Sequence, residues 1–160
     1  MREEELLKVK DLSFTYEEEP VLKNISLTVR HGEKIAVMGS NGAGKSTFFL
    51  NLNGVLKPDA GEIFLNGRKI GKKDMGLLRR QVGFVFQDAD SQIIASNVRA
   101  EISFGPMNLG LDRAEVIRRV DSAVSYLQLE ELQKRAPHYL SGGEKKRVSI
   151  ADILAMEPEL

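Results

Sequence analysis

Cysteine and tryptophan are absent from the 160 residues, and histidine occurs only twice. Without cysteine there is no disulfide, no thiol nucleophile and no thiolate metal ligand, a pattern that suits a reducing cytosol. Charge of one sign is lacking too. The 23 Lys and Arg balance the 23 Asp and Glu, so the basic excess that marks a nucleic-acid binder is missing. No stretch approaches the ~18 consecutive apolar residues of a membrane helix. The opening Met1-Arg2-Glu3-Glu4-Glu5 lacks the apolar core of a signal peptide. There is no internal repeat and no low-complexity linker. What remains is enough chain to bury a core, with glycine slightly enriched at 14 residues. Where those glycines stand proves more informative than their number.

The first third reads as strands. Leu6 to Phe14 alternates in part (Leu7, Val9, then Leu12, Phe14), and Ile25 to Val29 alternates fully, with the acidic Glu17-Glu18-Glu19-Pro20 between them as an exposed turn. Ile35-Ala36-Val37-Met38 is a short continuous apolar run, which predicts a strand buried on both faces of a parallel sheet. Lys45 to Leu56 has helical spacing. Gly61 to Ile70 predicts a hairpin turning at Asn66-Gly67, and Val82 to Phe86 another short strand.

The rest reads as helical. Asn97 to Phe104 predicts a helix stopped by Gly105-Pro106. Asp112 with Glu115 opens a helix carrying Val116, Val120, Val124 and Leu127. Ser141 with Glu144 opens one running through Met156. The layout predicts an α/β fold, a mixed sheet with a helical section inserted behind it.

The strongest motif is Gly39-Ser40-Asn41-Gly42-Ala43-Gly44-Lys45-Ser46, followed by Thr47. It satisfies G-x-x-x-x-G-K-[ST] between an apolar run and a helix start, where a phosphate loop stands. Glycines let backbone N–H groups converge on phosphate oxygens, and the helix N-terminus adds its positive end. A lysine meets the β- and γ-phosphates, and a hydroxyl can ligate Mg²⁺. The alternative, a glycine-rich turn that merely caps a helix, does not need the whole motif. Leu140-Ser141-Gly142-Gly143-Glu144 is a second candidate anion-binding helix tip, although an ordinary capped helix with a flexible approach explains the same residues. Lys145-Lys146-Arg147 reads as a solvated basic face.

Taken together, Gly39 to Thr47, Gln87 ending a strand and Leu140 to Glu144 opening a helix resemble the ATP-binding-cassette ATPases over essentially the whole chain. Within them, Gln87-Asp88-Ala89-Asp90-Ser91-Gln92 and Phe104-Gly105-Pro106-Met107-Asn108-Leu109-Gly110-Leu111 resemble the energy-coupling-factor, or cobalt-transport, ATP-binding subunits. Glu144 stands where the signature commonly has Gln, and Ala89 and Ser91 where Pro and Asp are frequent. The resemblance implies a P-loop NTPase core with an antiparallel β subdomain (about 1–88), an inserted helical subdomain (about 89–140) and a signature helix (141–157).

Site roles follow from the resemblance. Lys45 and Gln87 would be catalytic, and ATP would be held by Tyr16 stacking on adenine, by Gly39 to Thr47 (Gly39, Ser40, Asn41, Gly42, Ala43, Gly44, Lys45, Ser46, Thr47), and by Gln87. Leu140, Ser141, Gly142, Gly143 and Glu144 would meet the γ-phosphate of ATP held by an opposite subunit. Ser46 and Gln87 would ligate Mg²⁺. For Tyr16 a core-packing strand aromatic is the competing reading. The implied partners are a second ATPase subunit, identical or not, and a transmembrane component contacting the helical subdomain near Asp88 to Val98, at the cytoplasmic face of a membrane. No nucleic acid is implied.

The resemblance also places an Asp-Glu strand and a switch histidine after the signature helix, beyond Leu160, whereas His31 and His138 precede it and are expected at the surface. The expectation is therefore part of a longer ATPase, incomplete at its C-terminus. Its function would be the ATP-binding subunit of an importer, for cobalt, nickel or a vitamin. The alternative is a nucleotide-binding module without hydrolytic activity. A soluble repair or translation ATPase would carry tandem cassettes or a coiled-coil insertion, and a GTPase would carry Asn-Lys-x-Asp; neither pattern is in the sequence.

Overall fold

The computed structural model describes residues 4–160. Its contacts divide the chain into two units, one comprising the chain up to Val82 with Glu159–Leu160, the other Gly83–Pro158.

In the first unit, β1 (Glu5–Tyr16) and β2 (Glu19–Arg30) form a long antiparallel hairpin. After the helix α1 (Lys45–Leu52), β3 (Ala60–Leu65) and β4 (Arg68–Lys69) complete an antiparallel sheet of order β2-β1-β3-β4. The broken alternation of β1 has a clear cause. Val9 pairs with Leu27 and Leu12 with Ile25, so three residues on β1 oppose two on β2, and the same excess recurs against β3. The extra residue is a bulge, with Asp11 at φ 48°. It shifts the phase by one, so Leu7 and Val9 before it and Leu12 and Phe14 after it are all buried. Opposite the bulge, Gly61 has φ +94°, and a Cβ there would lie 2.6 Å from Asp11 O and Leu12 Cα. Only glycine fits.

The buried residues of β1 and β3 pack with Phe48 and Leu52 of α1 and with Leu78 of α2 (Met75–Gln81). The hairpin turn falls at Asn66-Gly67, both with positive φ, as the sequence predicted. Helix α1 stops at Leu52 rather than Leu56, because Gly54 at φ +74° ends it and Arg79 donates two hydrogen bonds to its carbonyl.

Two expected strands do not form. Residues 33–40 and 83–86 lie outside any strand, and Ile35, Val37 and Met38 are exposed, Met38 at 89%. A strand buried on both faces needs a ladder partner at each edge. The described residues supply none, since all their ladders are antiparallel and join other segments.

The second unit packs three helices, α3 (Val98–Asn108), α4 (Arg113–Tyr126) and α5 (Gly142–Ala155), around Val98, Ile102, Val120, Val124, Val148 and Ala151. Asp112 and Ser141 cap α4 and α5 as the sequence predicts, accepting from the amides of Glu115 and Glu144, and Asn97, expected inside its helix, instead caps α3 by accepting from Ala100 N. Contrary to expectation, α3 runs through Gly105-Pro106. Pro106 falls in the last turn, where its missing N–H deprives only the Ile102 carbonyl, and Gly110 at φ +73° then ends the helix. Gly105 stays because a Cβ would sit 2.6 Å from Met156 Cγ, so α3 and the end of α5 approach closely.

Candidate functional site

The loop from Gly39 to Lys45 is built by its glycines. Gly42 and Gly44 have φ +81° and +85°, and Ala43 N bonds Ser40 O at 3.2 Å, so the chain doubles back before α1. At Gly44 a Cβ would meet Val21 Cγ1 at 3.0 Å and Leu22 Cδ2 at 3.1 Å, so the loop is pressed against the start of β2. Gly44 is the N-cap of α1 and provides no side-chain bond, and the first turn carries no acidic residue. By contrast, α3, α4 and α5 each have a capping side chain and an acid there. The leading amides of α1 have no acceptor within the helix and no acidic neighbour, the condition for holding an anion.

Lys45 Nζ donates to Gly39 O at 2.8 Å and Ser40 O at 2.7 Å, which holds the cation over the loop. Residues 39–43 and Ser46 are exposed, whereas Thr47 is buried. Ser46 thus offers its hydroxyl to solvent and Thr47 belongs to the packing side of α1. Among the described residues no cluster of three or more His, Asp or Glu could cage a metal. A single exposed hydroxyl such as that of Ser46 suits Mg²⁺, which keeps waters and is held by few protein oxygens alongside substrate phosphates.

Tyr16 ends β1 opposite Glu19 and is 45% exposed, its ring meeting Phe14 edge-on at 4.8 Å. This is not core burial. Val21, which touches Gly44, lies two residues along β2 from Glu19, about 7 Å at strand rise. Tyr16 and the loop thus both border the start of β2.

In the second unit, Leu140 is buried and Ser141 to Gly143 are exposed at the tip of α5. Ser141 Oγ accepts from Glu144 N at 3.3 Å, and the Glu144 carboxylate accepts from Ser141 N at 2.7 Å. That backbone bond, with the serine hydroxyl second, holds the Glu144 carboxyl below the usual carboxylate range. Its charge is therefore committed to the capping box, leaving the Gly142 and Gly143 amides exposed at the helix end.

Gln87 is exposed, on an irregular segment rather than at a strand end, and its carbonyl accepts from Lys146 Nζ at 3.3 Å. His31 and His138 are exposed, as expected. The basic triplet, however, is not a solvated face. Lys145 pairs with Asp90 at 2.6 Å, Lys146 donates to Phe86 O at 2.6 Å, and Arg147 caps the end of α4 through Leu127 O and Gln128 O. A loop carboxylate recruits Lys145, loop carbonyls recruit Lys146, and a helix C-terminus needing donors recruits Arg147.

The sequence reading missed a polar cluster. Glu101, 2% exposed, accepts from the amides of Ile94 and Ala95, and Gln92 bonds Asp152. Burial pushes the Asp152 carboxyl up to about 6, the Gln92 bond opposing and the Glu101 charge reinforcing that rise. A signal for Glu101 existed: it shares the apolar helix face of Val98, Ile102 and Gly105.

Residues 22–160 match the family described as ABC transporter. An energy-coupling factor transporter ATP-binding protein of Methanothermobacter thermautotrophicus is 48% identical over 97% of this chain and 51% of its own length. A solved structure from Clostridium perfringens, described as part of an ABC transporter complex, is 42% identical with a TM-score of 0.86, over 98% of this chain and 63% of that one. A dimeric post-hydrolysis structure of an ATP-binding cassette bound to ADP and Pi aligns at TM-score 0.82 and 28% identity, over 96% of this chain and 71% of that one. The chain spans about half the length of the curated relative it matches. With its antiparallel sheet, glycine-built loop and capped helix tip, the chain has the P-loop NTPase fold of ABC ATPases and belongs to the ABC transporter family.

Proposed function

We propose that this chain is the ATP-binding part of an energy-coupling-factor-type importer, working at the cytoplasmic face of a membrane. The observation that carries the reading is the loop at α1, where two left-handed glycines, an uncapped helix start and Lys45 converge. In this reading Gly39 to Thr47 hold the triphosphate, and Lys45 exchanges its two carbonyl partners for phosphate oxygens. Tyr16 stacks on adenine. Ser46 would offer its hydroxyl to Mg²⁺, which when bound would draw charge from the phosphate oxygens.

The exposed tip from Leu140 to Glu144 offers its amides to the γ-phosphate held by a second ATPase subunit. Two anion-binding tips on one chain then serve two different nucleotides, and ATP draws the subunits together. Hydrolysis belongs to that pair, and a transmembrane component bound near Asp88 to Val98 receives the movement. The names of the relatives support this reading, since one is an energy-coupling factor protein and another is part of a transporter complex.

The test is ATP-driven pairing. Light scattering of the full-length protein should show ATP-dependent dimers, and Gly142→Asp should abolish them while ATP binding to the single subunit persists. An unimpaired Gly142→Asp dimer would overturn the assignment of the tip.

A further inference from the structure

Between Gln87 and α3 the chain forms a compact block rather than a free loop. Asp88 accepts from Asp90 N at 3.1 Å and Ser91 Oγ at 2.9 Å, and the amides of Gln92 and Ile93 both bond Ala89 O at 3.1 Å. This 3₁₀ turn is tied to α5 at two levels. At the first turn of α5, Lys145 Nζ reaches Asp90 Oδ1 at 2.6 Å, and Lys146 Nζ reaches the carbonyls of Phe86 and Gln87 at 2.6 and 3.3 Å. Further along, the half-buried Gln92 amide uses both ends. Its Oε1 accepts from Phe86 N at 3.1 Å, and its Nε2 donates to Ser149 O at 2.9 Å and Asp152 Oδ2 at 3.1 Å.

From Lys145 to Asp152 the attachments cover about 10 Å of helix. Anchors at a single level would let the block pivot; anchors spread over two turns make block and helix move together. Lys145 directly follows Glu144, so the first anchors lie beside the exposed tip.

We infer that Gln92, with Lys145 and Lys146, is a positioning device that fastens the 86–92 block to α5, so that a displacement at either the block or the helix tip is delivered to the other. The inference rests on the reading that the tip of α5 meets ATP, and it adds what carries that event to the membrane-facing segment. Gln92 itself touches no reacting atom; it acts through the position of its neighbours.

Hydrogen exchange on the full-length protein, with and without ATPγS, tests this. In the wild type, ATPγS should slow exchange at 39–47, at 140–145 and at 88–92, the last by about fivefold. Gln92→Leu should keep the first two responses and lose the third. The double substitution Gln92→Glu with Asp152→Asn, which restores a donor–acceptor pair with the roles reversed, should recover part of it. Lys146→Met, which leaves the Gln92 bonds intact, should weaken the third response if Gln92→Leu fails to fold. A response at 88–92 that survives both Gln92→Leu and Lys146→Met would overturn the inference. So would a wild type that responds at 140–145 and not at 88–92. A wild type silent at 39–47 would instead refute the nucleotide reading, and the inference with it.

Discussion

Asp152→Asn should stabilise the protein at neutral pH, and the gain should vanish in acid. Asp152 lies partly buried on α5, its Oδ2 accepting from Gln92 Nε2 at 3.1 Å, with the buried Glu101 carboxylate of α3 adding repulsion. Its carboxyl titrates at about 6 in the fold against an ordinary 3.8. A raised acid binds its proton more tightly folded than unfolded. The benefit of the neutral form is thus complete below about 3.8 and lost as pH rises through about 6.

The difference corresponds to about 3 kcal/mol at pH 7, and water reaching the group lowers the expected figure to about 1–2 kcal/mol. Asn keeps an oxygen for Gln92 and never ionises. In urea denaturation followed by circular dichroism, the variant should therefore exceed wild type by about 1–2 kcal/mol at pH 7 and match it near pH 4. A variant less stable at pH 7, or a gain equal at both pH values, would refute the account of this cluster.

Three further outcomes follow from the site. Tyr16→Ala should weaken ATP binding by about 5- to 100-fold, the worth of one base stack, while Tyr16→Phe retains it; fluorescence titration with a labelled nucleotide reads both, and an indifferent alanine variant would place adenine elsewhere. Gly44→Ala puts a Cβ 3.0 Å from Val21 at φ +85° and should lower stability by about 2–4 kcal/mol in thermal unfolding, an unaltered melt contradicting the tight loop packing. Ser141→Ala removes the cap of α5 and should cost about 1 kcal/mol in the same measurement; no change would mean the cap bond is dispensable.

What could be read from the residues was local. The phosphate loop declares itself because its glycines, lysine and hydroxyl are contiguous, and the caps of α4 and α5 because each pairs with a Glu three residues on, whereas the Asn97 cap of α3 has Ala100 there and gives no such signal. Alternation gave the hairpin of β1 and β2, and even its interruption at Asp11 was visible, although naming it a bulge required the pairing on both sides. The apolar run from Ile35 to Met38 misled because strand character depends on a partner as much as on composition, and the described residues supply no ladder there. Gly105-Pro106 suggested a stop, but in the last turn of α3 the cost of proline is a single carbonyl, and contact with Met156 favours continuing. Helix α2 went unread: it is short, and Leu78 is its one buried side chain. The bonds from Gln92 to Asp152 and from Lys146 to Phe86 join residues 60 apart, and no periodicity reports such a meeting.

The central claim, that the loop at α1 holds a nucleoside triphosphate, is tested most directly by calorimetric titration of ATP·Mg²⁺ into wild type and Lys45→Ala. Loss of the charge-assisted bonds from Lys45 predicts affinity about 100-fold weaker, with an unchanged far-ultraviolet spectrum. Equal affinity in the two folded proteins would contradict it.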